Sequence, residues 1–380
     1  DFGFDGVFDP FTTSDVYSYS GDFGFITNST PERDSTSFYS QGTWNHSDSL
    51  RTVFGLRHTK DEVYSAVTNF YGRSGTDILE TDGNKVTGRL VVEKDIDDNT
   101  MLYGSFTRGY KPGGSNLTYG REGVVAQIVV LPTFQEEIVD AFEVGLKTDL
   151  ADGRVRLNTA AFLYNYEGLQ YQATDPEVFE GGVGNIPDSE IYGAELELST
   201  FLSDSVILDL RMSWLDTEIT ANHLALDNVE SEAATNALLA QGIGLFSNDV
   251  QIARAGRIQN VKGNELAKTP SFTGNVALNW TNDHNWGELK GTLQYTYRGG
   301  FKHRIFNNAQ TDVVPNYDVL DIMLGFYPAS AENQHFEIIG KNLFDQDGIN
   351  ARFTDVFGVG ATGDELIAPR QIMLRFVTRF

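Results

Sequence analysis

Hydrophobic and polar residues alternate with a period of two along most of this chain. In residues 371–380, Ile372, Leu374, Phe376, Thr378 and Phe380 fall on one side, and Gln371, Met373, Arg375, Val377 and Arg379 on the other. Successive strand side chains point to opposite faces, so this is a ribbon with one apolar and one largely polar flank. The same division sets Phe142, Val144 and Leu146 against Glu143, Lys147 and Asp149. It sets Val206, Leu208, Leu210, Met212 and Trp214 against Asp209, Arg211 and Ser213, and Leu293, Tyr295 and Tyr297 against Lys290, Thr292, Gln294 and Arg298. About 14 such segments of about 10 to 16 residues can be drawn, whereas soluble strands have a mode of about 5 to 6. Long alternating ribbons predict strands that cross a bilayer, apolar flank to lipid and polar flank to an enclosed interior.

The connections alternate in length. Short ones fall near residues 46–49, 95–99, 151–153, 203–205, 282–285 and 329–333. Long ones fall near 61–84, 111–133, 172–188, 220–268, 301–313 and 345–365. Outer-membrane barrels have short periplasmic turns and long extracellular loops. The parity therefore predicts an all-β fold, a transmembrane antiparallel β-barrel with its C-terminus at the periplasmic end. Trp44, Tyr103, Tyr110, Tyr166, Trp280 and Tyr297 stand near ribbon ends, where aromatic girdles mark the membrane interface. The ordinary strand propensity of aromatic residues gives the same placement. In the longest connection, Asp227 and Glu230 make a capping-box pattern ahead of residues 233–240, which predicts a short helix in an extracellular loop.

Composition narrows the classes. With 53 acids, 28 bases and a formal charge of −25, the chain lacks the basic face that nucleic-acid binding requires. It has no cysteine, hence no disulfide framework, thiolate metal site or cysteine nucleophile. The longest apolar run, residues 124–131, is interrupted by Gln127 and falls well short of the roughly 18 residues of a membrane-spanning helix. The first residue is Asp1 and no signal peptide precedes the ribbons, so a processed chain or a fragment is expected.

Several segments carry a family resemblance. YGSFTRGYKPGGSN at 103–116, FEVGLKTDLADGRVRLNTAAFLYNYEGLQ at 142–170, YGAELEL at 192–198, GKNLFD at 340–345 and the terminal RFVTRF lie in this order. They resemble the strand-to-loop segment, hairpin, following strand and final hairpin of TonB-dependent outer-membrane receptors, and the likeness runs from Ser37 onward. The resemblance implies a receptor and transporter in the cell outer membrane of a Gram-negative bacterium, with no enzymatic activity and no resident cofactor. It implies TonB-energised uptake of a scarce nutrient, a ferric siderophore or other iron complex first, a carbohydrate or cobalamin next. The implied partners are that small-molecule ligand, the TonB–ExbB–ExbD energy complex through an N-terminal part, outer-membrane lipid and lipopolysaccharide, and the barrel-assembly machinery through Phe380. Family members carry a plug domain before a barrel of 22 strands, which at about 27 residues each needs roughly 600 residues. Residues 1–380 show about 14 ribbons and no plug-like stretch, so they are expected to be the C-terminal portion of such a barrel. The alternative is a passive 14-strand outer-membrane channel.

Other chemistry is weak. A GxGxxG string at Gly358, Gly360 and Gly363 lacks the strand–turn–helix context of a dinucleotide site. Glu195 and Glu197 share a strand face about 7 Å apart, the carboxylate spacing of an inverting glycosidase, but two interior acids facing water explain them better. Asp95, Asp97 and Asn99 echo a calcium loop, yet Thr100 stands where glycine is required. The six histidines show no paired metal-binding spacing, and no catalytic constellation is found. Acids cluster in residues 1–34, 175–190 and 345–365, where they would face solvent or hold Ca²⁺. Ligand recognition is expected at the outer mouth. The candidates are Tyr110, Lys111 and Asn116 after one ribbon, and Arg298, His303, Arg304 and Phe306 around another, cations for an anionic chelate and aromatics for stacking.

Overall fold

The computed structural model describes residues 28–68, 76–116, 130–174, 181–245, 247–331, 333–354 and 361–379. Thirteen strands form one antiparallel sheet: β1 (Asn28–Ser47), β2 (Leu50–Thr68), β3 (Thr76–Asp97), β4 (Thr100–Lys111), β7 (Glu137–Leu150), β8 (Val155–Thr174), β9 (Gly181–Ser203), β10 (Val206–Ile219), β13 (Phe272–His284), β14 (Gly287–Arg298), β17 (Tyr317–Pro328), β18 (Gln334–Lys341) and β21 (Gln371–Thr378). Their spatial order is their chain order, so each joins its neighbours by simple up-and-down connections. The count stands beside the expected fourteen or so. β1 and β21 are the two edges of the sheet among the described residues. The eight remaining strands are short pairs inside four of the long connections: β5 (Gly114–Ser115) with β6 (Thr133–Phe134), β11 (Leu224–Leu226) with β12 (Ile258–Asn260), β15 (Phe301–Lys302) with β16 (Val313–Val314), and β19 (Ile349–Thr354) with β20 (Thr362–Leu366). Two helices, α1 (Asn228–Leu239) and α2 (Asn248–Ala255), lie in the connection before β13. No described helix is long and apolar enough to cross a membrane.

The two faces differ as the alternation requires. Leu56, Leu90, Leu102, Val144, Trp214, Ile338 and Leu374 stand exposed on one face. The other face pairs its charges across neighbouring strands. Arg51 bridges Glu93 at 2.5 Å and Asp95 at 2.9 Å, Asn279 donates to Asp209 at 2.8 Å, Lys341 bonds Asp321 at 2.7 Å, and Arg375 bonds Glu337. A charged face bonded within itself and an apolar face left uncovered is the inverse of a soluble core, and it fits lipid outside and water inside.

Two expected loops are strand instead. The β2–β3 ladder runs on to Thr68↔Thr76, and the β8–β9 ladder to Thr174↔Gly181. Beyond the apolar belt both flanks turn polar, as at His58, Thr59, Lys60, Asp61 and Glu62. Alternation then vanishes although the backbone hydrogen bonds continue. Hydropathy reports what surrounds a strand, whereas the ladder needs only backbone.

The aromatics sort by face. Trp44 and Trp286 are exposed at the short-turn end, and Tyr192 meets Trp214 edge to face at 5.9 Å towards the loop end. Tyr103, expected in a girdle, faces the interior: its hydroxyl donates to Glu143 at 2.6 Å. Its neighbour Leu102 takes the outward position, so strand parity overrides residue type.

Dense burial occurs at the loop end. Ile186, Ile219, Ala225, Val261, Leu266 and Ile305 form one cluster, with Tyr171 and Phe306 packed on it. Val67, Val130 and Ala173 form a second, which also touches Tyr171. Gly168, at φ +70°, permits a change of facing in β8 just before Leu169 and Tyr171 turn into these clusters.

Candidate functional site

Three neighbouring connections, residues 220–271, 299–316 and 342–370, are bonded into one layer over the loop end of the sheet. The layer starts from a helix cap. Asp227 accepts from the backbone N–H of Val229 at 3.1 Å and of Glu230 at 3.4 Å, as the sequence predicts. Glu230 accepts from Asn308 Nδ2 at 3.2 Å in the next loop. Arg304 ties the same loops: Nη1 donates to Asp227 at 2.7 Å and to Asn228 at 2.8 Å, and Nε donates to Asp312 at 2.7 Å. Its guanidinium also lies 5.1 Å from the Phe306 ring centroid. Asp227 and Asp312 are completely buried, and Arg304 pairs directly with both. Asn264 donates to the Ile305 carbonyl at 2.8 Å, and Asn307, at φ +56°, bonds the backbone of Glu265 in both directions.

The third loop joins through the β19–β20 hairpin. His303 Nε2 lies 2.9 Å from Thr354 Oγ1. Arg352 pairs with Asp364 at 2.6 Å and donates to the carbonyls of Thr311 and Val313. The Arg352 hydrogen bond holds the Asp364 carboxyl below the usual carboxylate range. Arg298 donates to the carbonyls of Ile349 and Asn350, its guanidinium 4.9 Å from the Phe301 ring centroid and 4.5 Å from that of Tyr317.

This layer and the end of β8 line an open cavity of about 320 Å³. Its apolar lining includes Leu226, Ile305, Phe306, Phe353 and Tyr171, and its polar lining includes Lys268, His303, Arg304 and Thr354. Burial lowers the pKa of His303 to about 4, helped by the Lys268 and Arg304 charges, so its imidazole is neutral at pH 7. Tyr171 also lines a second cavity of about 510 Å³, which carries Glu136, Glu167 and Asp188. At the partition, the Tyr171 hydroxyl and His223 Nε2 are 2.8 Å apart, and burial pushes the His223 pKa down.

Of the residues expected at the mouth, His303, Arg304 and Phe306 line one cavity, and Arg298 braces the hairpin that completes it. Tyr110 and Lys111 stand apart at the end of β4, where Lys111 is exposed opposite Glu137. Asn116 is an internal staple: it donates to the carbonyls of Leu131 and Val183 and accepts from the Val183 N–H at 2.8 Å, which leaves it nothing to offer a ligand. Sequence reasoning missed Tyr171, Lys268 and Phe353, which reach the cavity from β8 and from two different loops. Among the described acids, Asp345 pairs with Arg370 at 3.1 Å and Asp364 with Arg352. No three His, Asp or Glu side chains converge as a metal group among the described residues. Residues 1–27, 175–180 and 355–360 of the acidic clusters, Gly358 and Gly360 of the glycine string, and Phe380 lie outside the described residues.

Residues 1–343 match the family described as TonB dependent receptor-like, beta-barrel. The chain belongs to that family. Its localisation is therefore the Gram-negative outer membrane, and the family is one of receptors and transporters. A curated relative, the "Probable TonB-dependent siderophore receptor PiuA" of Acinetobacter baumannii, is 26% identical over 172 residues, 44% of this chain and 22% of that protein. Among solved structures, the ferric yersiniabactin uptake receptor FyuA of Yersinia pestis superposes with a TM-score of 0.67 at 19% identity, over 93% of this chain and 47% of FyuA. PiuA of A. baumannii gives 0.66 at 18%, over 91% and 43%. The ferric-catecholate import receptor Fiu of E. coli K12, in its closed form, gives 0.61 at 16%, over 93% and 45%. These likenesses show the receptor barrel fold, and the chain spans less than half of each solved receptor.

Proposed function

We propose that this chain forms barrel wall and outer loops of a receptor that imports a ferric siderophore with TonB-derived energy. The observation that carries the reading is the loop layer: two loops joined by the buried Arg304–Asp227 pair and a third by hydrogen bonds, over a cavity with cations and aromatic rings, at the loop end of a membrane-spanning sheet. A rigid, partly desolvated mouth suits tight capture of a scarce, charged complex, because little ordering entropy is lost on binding. The siderophore-receptor relatives support the choice of cargo. The role is binding and transport, without catalysis. The partners that go with this reading are TonB–ExbB–ExbD for energy and lipopolysaccharide around the outer rim.

The test is growth of a gene-deletion strain on single ferric chelates as sole iron source, with and without TonB. Loss of growth on at least one chelate, restored by the gene only in the presence of TonB, is the expected result. Uptake that persists without TonB would make the protein a passive channel.

A further inference from the structure

The inner face of β2 and β3 carries two arginines that meet no carboxylate. Arg57 donates to hydroxyls alone, from Nε to Thr59 Oγ1 at 3.1 Å and from Nη2 to Ser37 Oγ at 2.7 Å. The Arg89 guanidinium has no hydrogen bond or ion pair among the described residues. The ladder sets Arg57 opposite Thr87 and Arg89 opposite Gly55, so the two arginines are diagonal neighbours on one face, about 7 to 8 Å apart. The next acids on this face of β2 and β3, Asp61 and Glu93, stand four residues further along, about 13 Å away. Both are already bonded, Asp61 to Arg33 at 2.8 Å and Glu93 to Arg51 at 2.5 Å. The described parts of β1 and β4 offer no acid on this face. By contrast Arg51, Lys290, Lys341 and Arg375 of the same wall each meet a carboxylate. Like charges side by side in a sheet are unfavourable unless something offsets them.

The surroundings suit an anion. An open cleft of about 300 Å³ at the two arginines is also lined by Tyr39, Gln41 and Thr107, whose side chains make no hydrogen bond among the described residues. Gly55 forms its floor: a Cβ there would stand 3.7 Å from both Arg89 Cγ and Gln41 Oε1, so any longer side chain would fill the cleft. Thr59 and Asp61 are buried, so the chain covers β2 on the loop side of the cleft. We propose that Arg57 and Arg89 form an oxyanion site on the inner wall, in which two guanidiniums clamp one small anionic group and Tyr39, Gln41 and Thr107 supply neutral donors. The planar guanidinium fork matches carboxylate and phosphate oxygens, and charge-assisted bonds of this kind are about twice as strong as neutral ones. The site goes beyond the uptake reading: it lies on the wall below the mouth and needs no transport step. The oxyanion is either a free inorganic ion or a carboxylate on a larger solute.

The experiment is calorimetric titration of inorganic phosphate and of citrate, with choline as cationic control, into the full-length receptor purified in detergent. The buffer holds about 0.15 M NaCl, where a screening length of about 8 Å suppresses diffuse attraction to exposed cations. Saturable binding of at least one anion and none of choline is expected. Preference for phosphate assigns the free ion, and preference for citrate assigns the carboxylate. Arg57→Gln and Arg89→Gln should each weaken binding roughly ten-fold. Gly55→Asp keeps both arginines and places a carboxylate from the chain itself between them. It should abolish binding of the added anion while the melting temperature stays level or rises, so the test stands even where an arginine variant fails to fold. No binding of either anion to the wild type, or binding unchanged in Gly55→Asp, overturns the proposal. Absent anion binding with TonB-dependent growth on a ferric chelate intact removes the wall site alone. Anion binding without such growth removes the uptake reading and leaves the wall site.

Discussion

Single residues at the loop end do structural and recognition tasks that composition cannot separate. Arg304 was expected to meet ligand, and it holds two buried carboxylates from two loops instead. Removing one partner of such a group commonly costs about 3 to 5 kcal/mol, because a bare charge is left in a dry place. His303 is the opposite case, neutral and half satisfied. Its pKa is about 4 when folded and near 6.5 when unfolded, so the unfolded state takes up the proton first as the pH falls. Stability from this residue is therefore complete above about pH 6.5 and is lost progressively down to pH 4. Charging it would add a cation beside Lys268, Arg304 and Arg352, against the nearby carboxylates of Asp312 and Asp364. Amide hydrogen exchange in residues 301–314 and 349–354, corrected for intrinsic rates, should show easier opening at pH 5 than at pH 7. In His303→Gln that difference should disappear, and equal protection at both pH values in the wild type would refute the assignment.

At the scale of the element, the strand is the unit that meets the bilayer. Val144 sits mid-strand on β7 and points outward between Gly104 and Ala161, while its neighbour Glu143 bonds Tyr103 inside. Val144→Arg should lower stability in lipid vesicles by about 2 to 4 kcal/mol, the depth-dependent penalty for a midplane cation, as read from denaturant titration. A change below about 0.5 kcal/mol would mean that this flank does not face hydrocarbon. The helix α1 was legible because Asp227 caps it. The second helix, α2, was not: eight residues with only Val250 and Arg254 buried carry too little periodicity. It holds its place through the buried Arg254–Glu232 pair at 2.7 Å, a contact set by how the two helices meet.

For the whole molecule, depth in the membrane is marked by where the tryptophans lie. Trp44 and Trp286 mark the turn end, and Trp214 lies towards the loop end of β10. Tryptophan fluorescence in vesicles should be quenched more by lipids brominated near the headgroup than by lipids brominated at the chain terminus, and the reverse order would displace the girdles from the interface. The sequence by itself determined the period-two ribbons, the up-and-down order with its short and long connections, the apolar and charged flanks, and one capped helix. Each of these is written locally, because side-chain parity and capping act over a few residues. Tertiary structure alone decided that Asn116 is a staple, that β2–β3 and β8–β9 continue past the apolar belt, and that Tyr171, Lys268, His303 and Phe353 share a cavity. Those outcomes depend on strand pairing beyond the apolar belt and, for Asn116 and the cavity, on contacts between residues from 67 to 182 positions apart, where backbone bonding and loop docking outweigh any hydropathy pattern.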